Sequence, residues 1–141
     1  MPETQVQEQL AEYLRFQYPD VMFHSDFGSG VKLTPRQAAR QKRQNGGRRA
    51  WPDMFIAEPM PRCVDGSWNY EYHGLFIELK KPGTRLKKRD GSWASEHIAE
   101  QYDVLDRLRF RGYRAEFAVG FDEAKKIIDE YLGGKNEHSL Y

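Results

Sequence analysis

Hydrophobic and polar positions follow two periods along this chain, and the switches between them mark its elements. Val6, Leu10, Tyr13, Leu14 and Gln17 recur at the spacing of one helix face, and Tyr18-Pro19 ends that run. Val21-Met22-Phe23 reads as a short strand. Thr34 is placed to cap a helix whose first residue is Pro35, with Asn45-Gly46-Gly47 closing it. Residues 53–57 read as a strand ended by Pro59 and Pro61, and a turn-rich loop through Asp65-Gly66 follows. Residues 72–80 form the most apolar strand, stopped by Pro82-Gly83. Asp90-Gly91 marks a turn and Ser95 an N-cap, after which Ile98, Tyr102, Leu105 and Leu108 line a long helix that stops at Gly112. Residues 114–119 are a further strand, and Asp122 opens a last helix to Leu132, leaving 133–141 as a flexible tail. Helices and strands alternating in this order predict a mixed α/β domain spanning residues 1–132.

The polar residues that interrupt these patterns carry the chemistry. Strand alternation puts Glu78 and Lys80 on one face and Leu75, Ile77 and Leu79 on the other. Alone, such a pair would be a surface ion pair worth about 0–1 kcal/mol. If Asp53 ends a neighbouring strand, however, two hard oxygen ligands converge beside a cation, a combination suited to Mg²⁺ or Mn²⁺ held against a phosphodiester. Gln101 falls within the apolar stripe of its helix, where an amide needs partners. Glu3 and Gln7 lie at the edge of the first helix's apolar face, which makes Glu3 the candidate third carboxylate. Asp20, in a second Pro-Asp pair, reads as a turn residue one element too early. His73, just before the strand of Glu78, is placed to serve as a general base, but reads better as an edge histidine that bonds solvent or DNA phosphate.

A net charge of +1 hides an uneven distribution. Lys32, Arg36, Arg40, Lys42, Arg43, Arg48 and Arg49 form an acid-free run, and so do Lys80, Lys81, Arg85, Lys87, Lys88 and Arg89. Two such runs bracketing one carboxylate cluster point to a polyanionic partner, the nucleic acid backbone being the obvious one. The single cysteine, Cys63, excludes an intramolecular disulfide and a cysteine-rich zinc site, and fits a reducing cytoplasm. His24, His73, His97 and His138 offer no ligand pair at helical spacing. No run of 18 apolar residues is present and the first 20 residues lack an apolar signal stretch, so a soluble, unexported protein without membrane contact is expected.

Trp51-Pro52-Asp53, His73-Gly74-Leu75-Phe76-Ile77-Glu78-Leu79-Lys80, and Gln101 followed by Leu105, Leu108 and Gly112-Tyr113 together resemble the VRR-NUC branch of the PD-(D/E)xK nucleases, over residues 3–132. The resemblance implies a restriction-endonuclease-like core of α-β-β-β-α-β order, with a central mixed sheet flanked by helices. It implies metal-dependent phosphodiester hydrolysis and, for stand-alone phage-type members, homodimers acting on branched DNA such as four-way (Holliday) junctions. By position, Asp53 and Glu78 would be the metal ligands, completed by the carbonyl of Leu79, with Mg²⁺ or Mn²⁺ as cofactor. Lys80 would orient or activate the water, Gln101 would support the site, and Glu3 would match the first-helix acid. Arg36, Arg40, Lys42, Arg43, Arg48, Arg49, Lys81, Arg85, Lys87 and Lys88 are the expected DNA contacts, while Trp68, Tyr70, Tyr72 and Trp93 are possible contributors to a dimer contact. Two departures stand out, Trp51 in place of a small residue before Asp53, and an insertion over residues 87–94. The competing readings are a catalytically silent DNA-binding module and a sequence-specific restriction-type nuclease, the latter disfavoured because no separate recognition domain is visible.

Overall fold

A computed structural model describes residues 2–26, 33–47 and 50–138 of the chain, so that Lys32, Arg48 and Arg49 lie outside the described residues. Four strands form the main sheet in the order β1 (Phe23–Ser25), β2 (Met54–Ile56), β5 (Leu75–Lys80), β6 (Arg114–Val119). β1 and β2 pair antiparallel, as do β2 and β5, whereas β5 and β6 run parallel, which makes the sheet mixed. The parallel pair is connected through α3 (Glu96–Phe110), as a crossover of this kind requires. α1 (Glu3–Gln17), α2 (Pro35–Gln44) and α4 (Phe121–His138) complete the helices.

Strand alternation divides the sheet into two buried faces. Leu75, Ile77 and Leu79 join Met54, Ile56 and Ala118 against the apolar stripes of α1 and α4, among them Val6, Leu10, Leu14, Ile128 and Leu132. Phe76 and Phe117 lie on the opposite face with Ala115, under Leu105, Leu108 and Val104 of α3. Asp129 of α4 holds the first layer together, accepting hydrogen bonds from Tyr13 at 2.5 Å and Tyr18 at 2.8 Å, with Lys125 at 3.1 Å. α3 ends as its sequence predicts: Gly112 at φ +93 lets its own N–H reach Arg109 and that of Tyr113 reach Leu108, the paired bonds of a glycine-terminated helix. A Cβ at Gly112 would also fall 2.6 Å from the His73 ring.

The α/β class and each predicted helix are present, with shifted strand boundaries. β1 begins at Phe23, because Ala57 N–H bonds Met22 outside the ladder and pairing with β2 starts only at Phe23–Ile56. The expected loop before the apolar strand is instead a hairpin of β3 (Met60–Val64) and β4 (Ser67–Tyr72), so Tyr72 belongs to β4 and not to β5. Asp65 and Gly66 both take positive φ, +52 and +79, the two-residue turn whose twist suits a hairpin. Pro61 hid this element in the sequence; it is tolerated because β3 and β4 form a separate two-stranded sheet with free edges. α4 continues to His138, beyond Leu132. Asp20 sits in the turn after α1, as expected. No helix among the described residues is long and apolar enough to cross a membrane.

Candidate active site

The antiparallel β2–β5 ladder ends at Met54–Ile77, and the residues just beyond it build the site. Asp53 precedes β2 and Glu78 follows Ile77, so their side chains reach across a gap that backbone bonds no longer fill. Asp53 Oδ2 accepts the Leu79 N–H at 2.9 Å, and Glu78 Oε2 accepts the Asp53 N–H at 3.2 Å. Each carboxylate thus caps a buried main-chain donor of the other strand that the ladder leaves unpaired. The backbone of Asp53 is tied in as well: its carbonyl accepts from Asp26 N–H at 2.7 Å, and the Asp26 carbonyl accepts from Gln7 of α1 at 2.9 Å.

Lys80 and Gln101 close on Glu78 from two further directions. Lys80 Nζ lies 3.9 Å from Glu78 Oε1, and Gln101 Nε2 donates to that oxygen at 2.6 Å from the middle of α3. Asp53, Glu78, Lys80 and Gln101 are 8, 4, 7 and 5% exposed, and among the described residues they are the buried polar or charged ones. An ordinary surface ion pair is therefore ruled out for Glu78 and Lys80. Gln101 Oε1 is buried with no partner among the described residues, an acceptor left without a donor at the edge of the carboxylate pair. Glu3, in the first turn of α1, is half-buried, and its negative charge bears on Glu78.

Burial first, and then the charge of Asp53, push the Glu78 carboxyl up to about 9 against the opposing effect of Lys80. Two carboxylates share a dry site with one ammonium, so the pair keeps a proton unless another cation is supplied. Among the described residues no three His, Cys, Asp or Glu side chains gather closely enough to hold a metal ion by themselves. The donor set nonetheless fits a hard, hydrated cation: two carboxylates, and the Leu79 carbonyl on the same strand edge as the N–H that Asp53 caps.

The remaining candidate residues are spread more widely over the molecule. His73 is exposed at the other end of β5, its N–H bonded to Gly112 and its ring edge-on to Tyr113, away from the carboxylates. Trp51 has a local role: its indole N–H donates to the Asn45 carbonyl at the end of α2, and its ring lies 6.4 Å from Phe76, which fastens the basic helix to the sheet beside Asp53. Nothing in the spacing of Asp26 and Gln7 signals their support of Asp53, a contact made across three elements. Of the expected DNA contacts, Arg36, Arg40, Lys42 and Arg43 lie on α2, which has no buried residue. Lys81, Arg85, Lys87 and Lys88 are exposed between β5 and α3. None of these eight makes an ion pair with another described residue. A cleft of about 640 Å³ lined by Lys42, Gly47 and Ala50 on one side and Ala99, Glu100 and Asp103 on the other sets the end of α2 beside the first turns of α3.

Fold and topology together define a restriction-endonuclease-like α/β domain with a central mixed sheet flanked by helices. A solved structure described as a "VRR_NUC domain protein" has the same architecture, with a TM-score of 0.61, 23% sequence identity, and 94% of this chain covered against 89% of that one. The chain thus has the VRR-NUC fold. No protein-family model and no curated protein matches the sequence.

The raised Glu78 carboxyl fixes the sign of a pH effect. Its folded value lies above that of the unfolded chain, so the folded state holds the extra proton between about pH 4.5 and 9. The stabilisation is complete below that window and is lost as pH rises through it, at no more than about 1.4 kcal/mol per pH unit. In EDTA, thermal stability is expected to fall more steeply from pH 5.5 to 8.5 in the wild type than in Glu78→Gln. Parallel curves for the two proteins would show that Glu78 is ionised in the fold.

Proposed function

We propose that the protein is a divalent-metal-dependent deoxyribonuclease, selective for branched DNA such as four-way junctions. One observation carries the reading: Asp53, Glu78, Lys80 and Gln101 are buried together, at hydrogen-bond or ion-pair range of one another, within the VRR-NUC fold. Four buried polar groups contribute little to stability compared with apolar residues of the same volume, which makes a functional role their best explanation.

Asp53 and Glu78, with the Leu79 carbonyl, would hold Mg²⁺ or Mn²⁺. Bound there, the ion would supply charge to a phosphodiester oxygen and lower the pKa of a water. The chain's own residues do the rest. Gln101 orients the Glu78 carboxylate by donating to Oε1. Lys80 holds a positive charge beside that oxygen, where it can bind the attacking water or the charge building on phosphate. Glu3 adds negative charge felt by Glu78 and would support it in retaining a cation. Proton loss from Glu78 accompanies loading, so cleavage should rise with pH across the neutral range.

Asp53→Asn, Glu78→Gln and Lys80→Ala should each reduce Mg²⁺-dependent cleavage at least a hundredfold while DNA affinity stays within a few-fold of wild type. EDTA should abolish cleavage by the wild type. Binding without any cleavage in Mg²⁺ or Mn²⁺ would identify a silent DNA-binding module instead, and near-normal rates in any of the three variants would misassign the site.

The basic surface supports the choice of DNA. α2 carries Arg36, Arg40, Lys42 and Arg43 with no acid and no buried residue, and none of these four forms an ion pair with another described residue. Replacing Arg40, Lys42 and Arg43 together by alanine should weaken binding irrespective of sequence and lower the salt slope by about 0.9 per lost contact on duplex. An unchanged slope would remove α2 from the interface.

A homodimer would set two such sites at a fixed separation on a symmetric junction. Trp68 and Tyr70, 66 and 56% exposed on the β3–β4 hairpin, are suited to the contact. Tyr72 and Trp93 are partly buried within the chain, Tyr72 near Tyr131 and Trp93 near Tyr102 and Phe117. Light scattering should give twice the chain mass, and a four-way junction should be cut faster than linear duplex; a monomer both free and DNA-bound would exclude this arrangement.

A further inference from the structure

The insertion at residues 87–94 folds into a small hairpin of its own. Lys88 N–H bonds the Ser92 carbonyl at 2.8 Å, Gly91 N–H bonds Lys88 at 3.0 Å, and Ala94 N–H bonds Leu86 at 2.8 Å, around an antiparallel bridge between Lys87 and Trp93. Arg89, Asp90 and Gly91 form its three-residue tip, with Gly91 in the left-handed region at φ +87. Asp90 is used internally, its Oδ1 accepting from Ser92 N–H at 2.9 Å and from Ser92 Oγ at 2.6 Å, so it is oriented toward the loop backbone.

A single aromatic mounts this hairpin on the site. The Trp93 ring lies 4.5 Å from that of Tyr102 and 5.8 Å from that of Phe117. Tyr102 follows Gln101 on α3, and Phe117 is the register partner of Glu78 on β6, so the mount stands on the sheet face that carries the carboxylates. Lys87 Nζ sits 4.9 Å over the Trp93 ring, which fixes its stem. Lys87, Lys88 and Arg89 are exposed, and none makes an ion pair with another described residue. Three cations held close together on a hydrogen-bonded scaffold repel one another unless an extended anion lies across them.

We infer that the hairpin from Leu86 to Ala94 is a preorganised phosphate clamp, in which Lys88 and Arg89 hold the DNA backbone outside the cleaved bond and Trp93 fixes their position relative to Glu78. The inference rests on the nuclease reading and extends it. Charge alone would act from a mobile loop; a rigid mount places the phosphates, and so positions the scissile bond over the carboxylates. Trp93 is a positioning residue, and Arg89 joins the DNA contacts.

The test uses the full chain and fluorescent duplex and four-way DNA, with binding measured in EDTA and cleavage in Mg²⁺. Lys88→Gln with Arg89→Gln should raise Kd about tenfold at 0.1 M salt and lower the duplex salt slope by up to about 1.8, from two lost contacts. In cleavage the same variant should raise KM several-fold more than it lowers kcat. Trp93→Ala, which keeps every charge, should weaken binding several-fold, and Trp93→Phe should restore most of it. Unchanged Kd and slope in the double variant would overturn the clamp while wild-type cleavage left the nuclease reading intact. Equal binding by Trp93→Ala and wild type would overturn the mount. Loss of affinity in the double variant, in a protein that cleaves nothing, would keep the clamp and reject the nuclease. Should Trp93→Ala fail to fold by circular dichroism, the double variant alone decides.

Discussion

The antiparallel ladder between β2 and β5 stops at Met54 and Ile77, and the next residue on each strand, Asp53 and Glu78, meets the other through a side chain in place of a backbone bond. That substitution sets the site. Each carboxylate satisfies a main-chain donor that the ended ladder would otherwise leave buried and unpaired, at a cost comparable to a lost hydrogen bond. The acids are consequently fixed before any ligand arrives. Lys80 follows from the same strand by alternation, and Gln101 from the helix that covers this face of the sheet.

Burying these groups weakens the fold locally. Burial, and after it the like charge of Asp53, push the Glu78 carboxyl upward, and a single ammonium at 3.9 Å does not cancel that. The compensation lies elsewhere, in the apolar layers on both faces of the sheet and in the Asp129 cluster that joins α1 to α4. A site destabilised in this way would gain most from a cation that pairs with both acids.

The surface repeats the same logic at longer range. α2 buries nothing and is held by its Thr34–Gln37 capping box and by the Trp51 indole bond at its end. The insertion hairpin is held by Trp93. Both elements present basic side chains without ion-pair partners among the described residues, and both are fastened to the sheet by a tryptophan, Trp51 against Phe76 and Trp93 against Phe117.

Alternation and helical spacing determined the α/β class, the main helices, the shared face of Glu78 and Lys80, and the place of Gln101 within an apolar stripe, because these depend on backbone periods of two and 3.6 residues. Thr34, Ser95 and Gly112 marked helix ends for equally local reasons, and the capping bonds to Gln37 and Ile98 are present. The β3–β4 hairpin was concealed by prolines although its Asp65-Gly66 turn was legible. What only the tertiary structure decided is which distant residues meet: that Asp53 bonds Leu79 while Glu78 bonds back to Asp53, that Gln7 and Asp26 brace them, and that Trp93 stands over Phe117. Those contacts join residues 19 or more positions apart, and no local period encodes the register that brings them together.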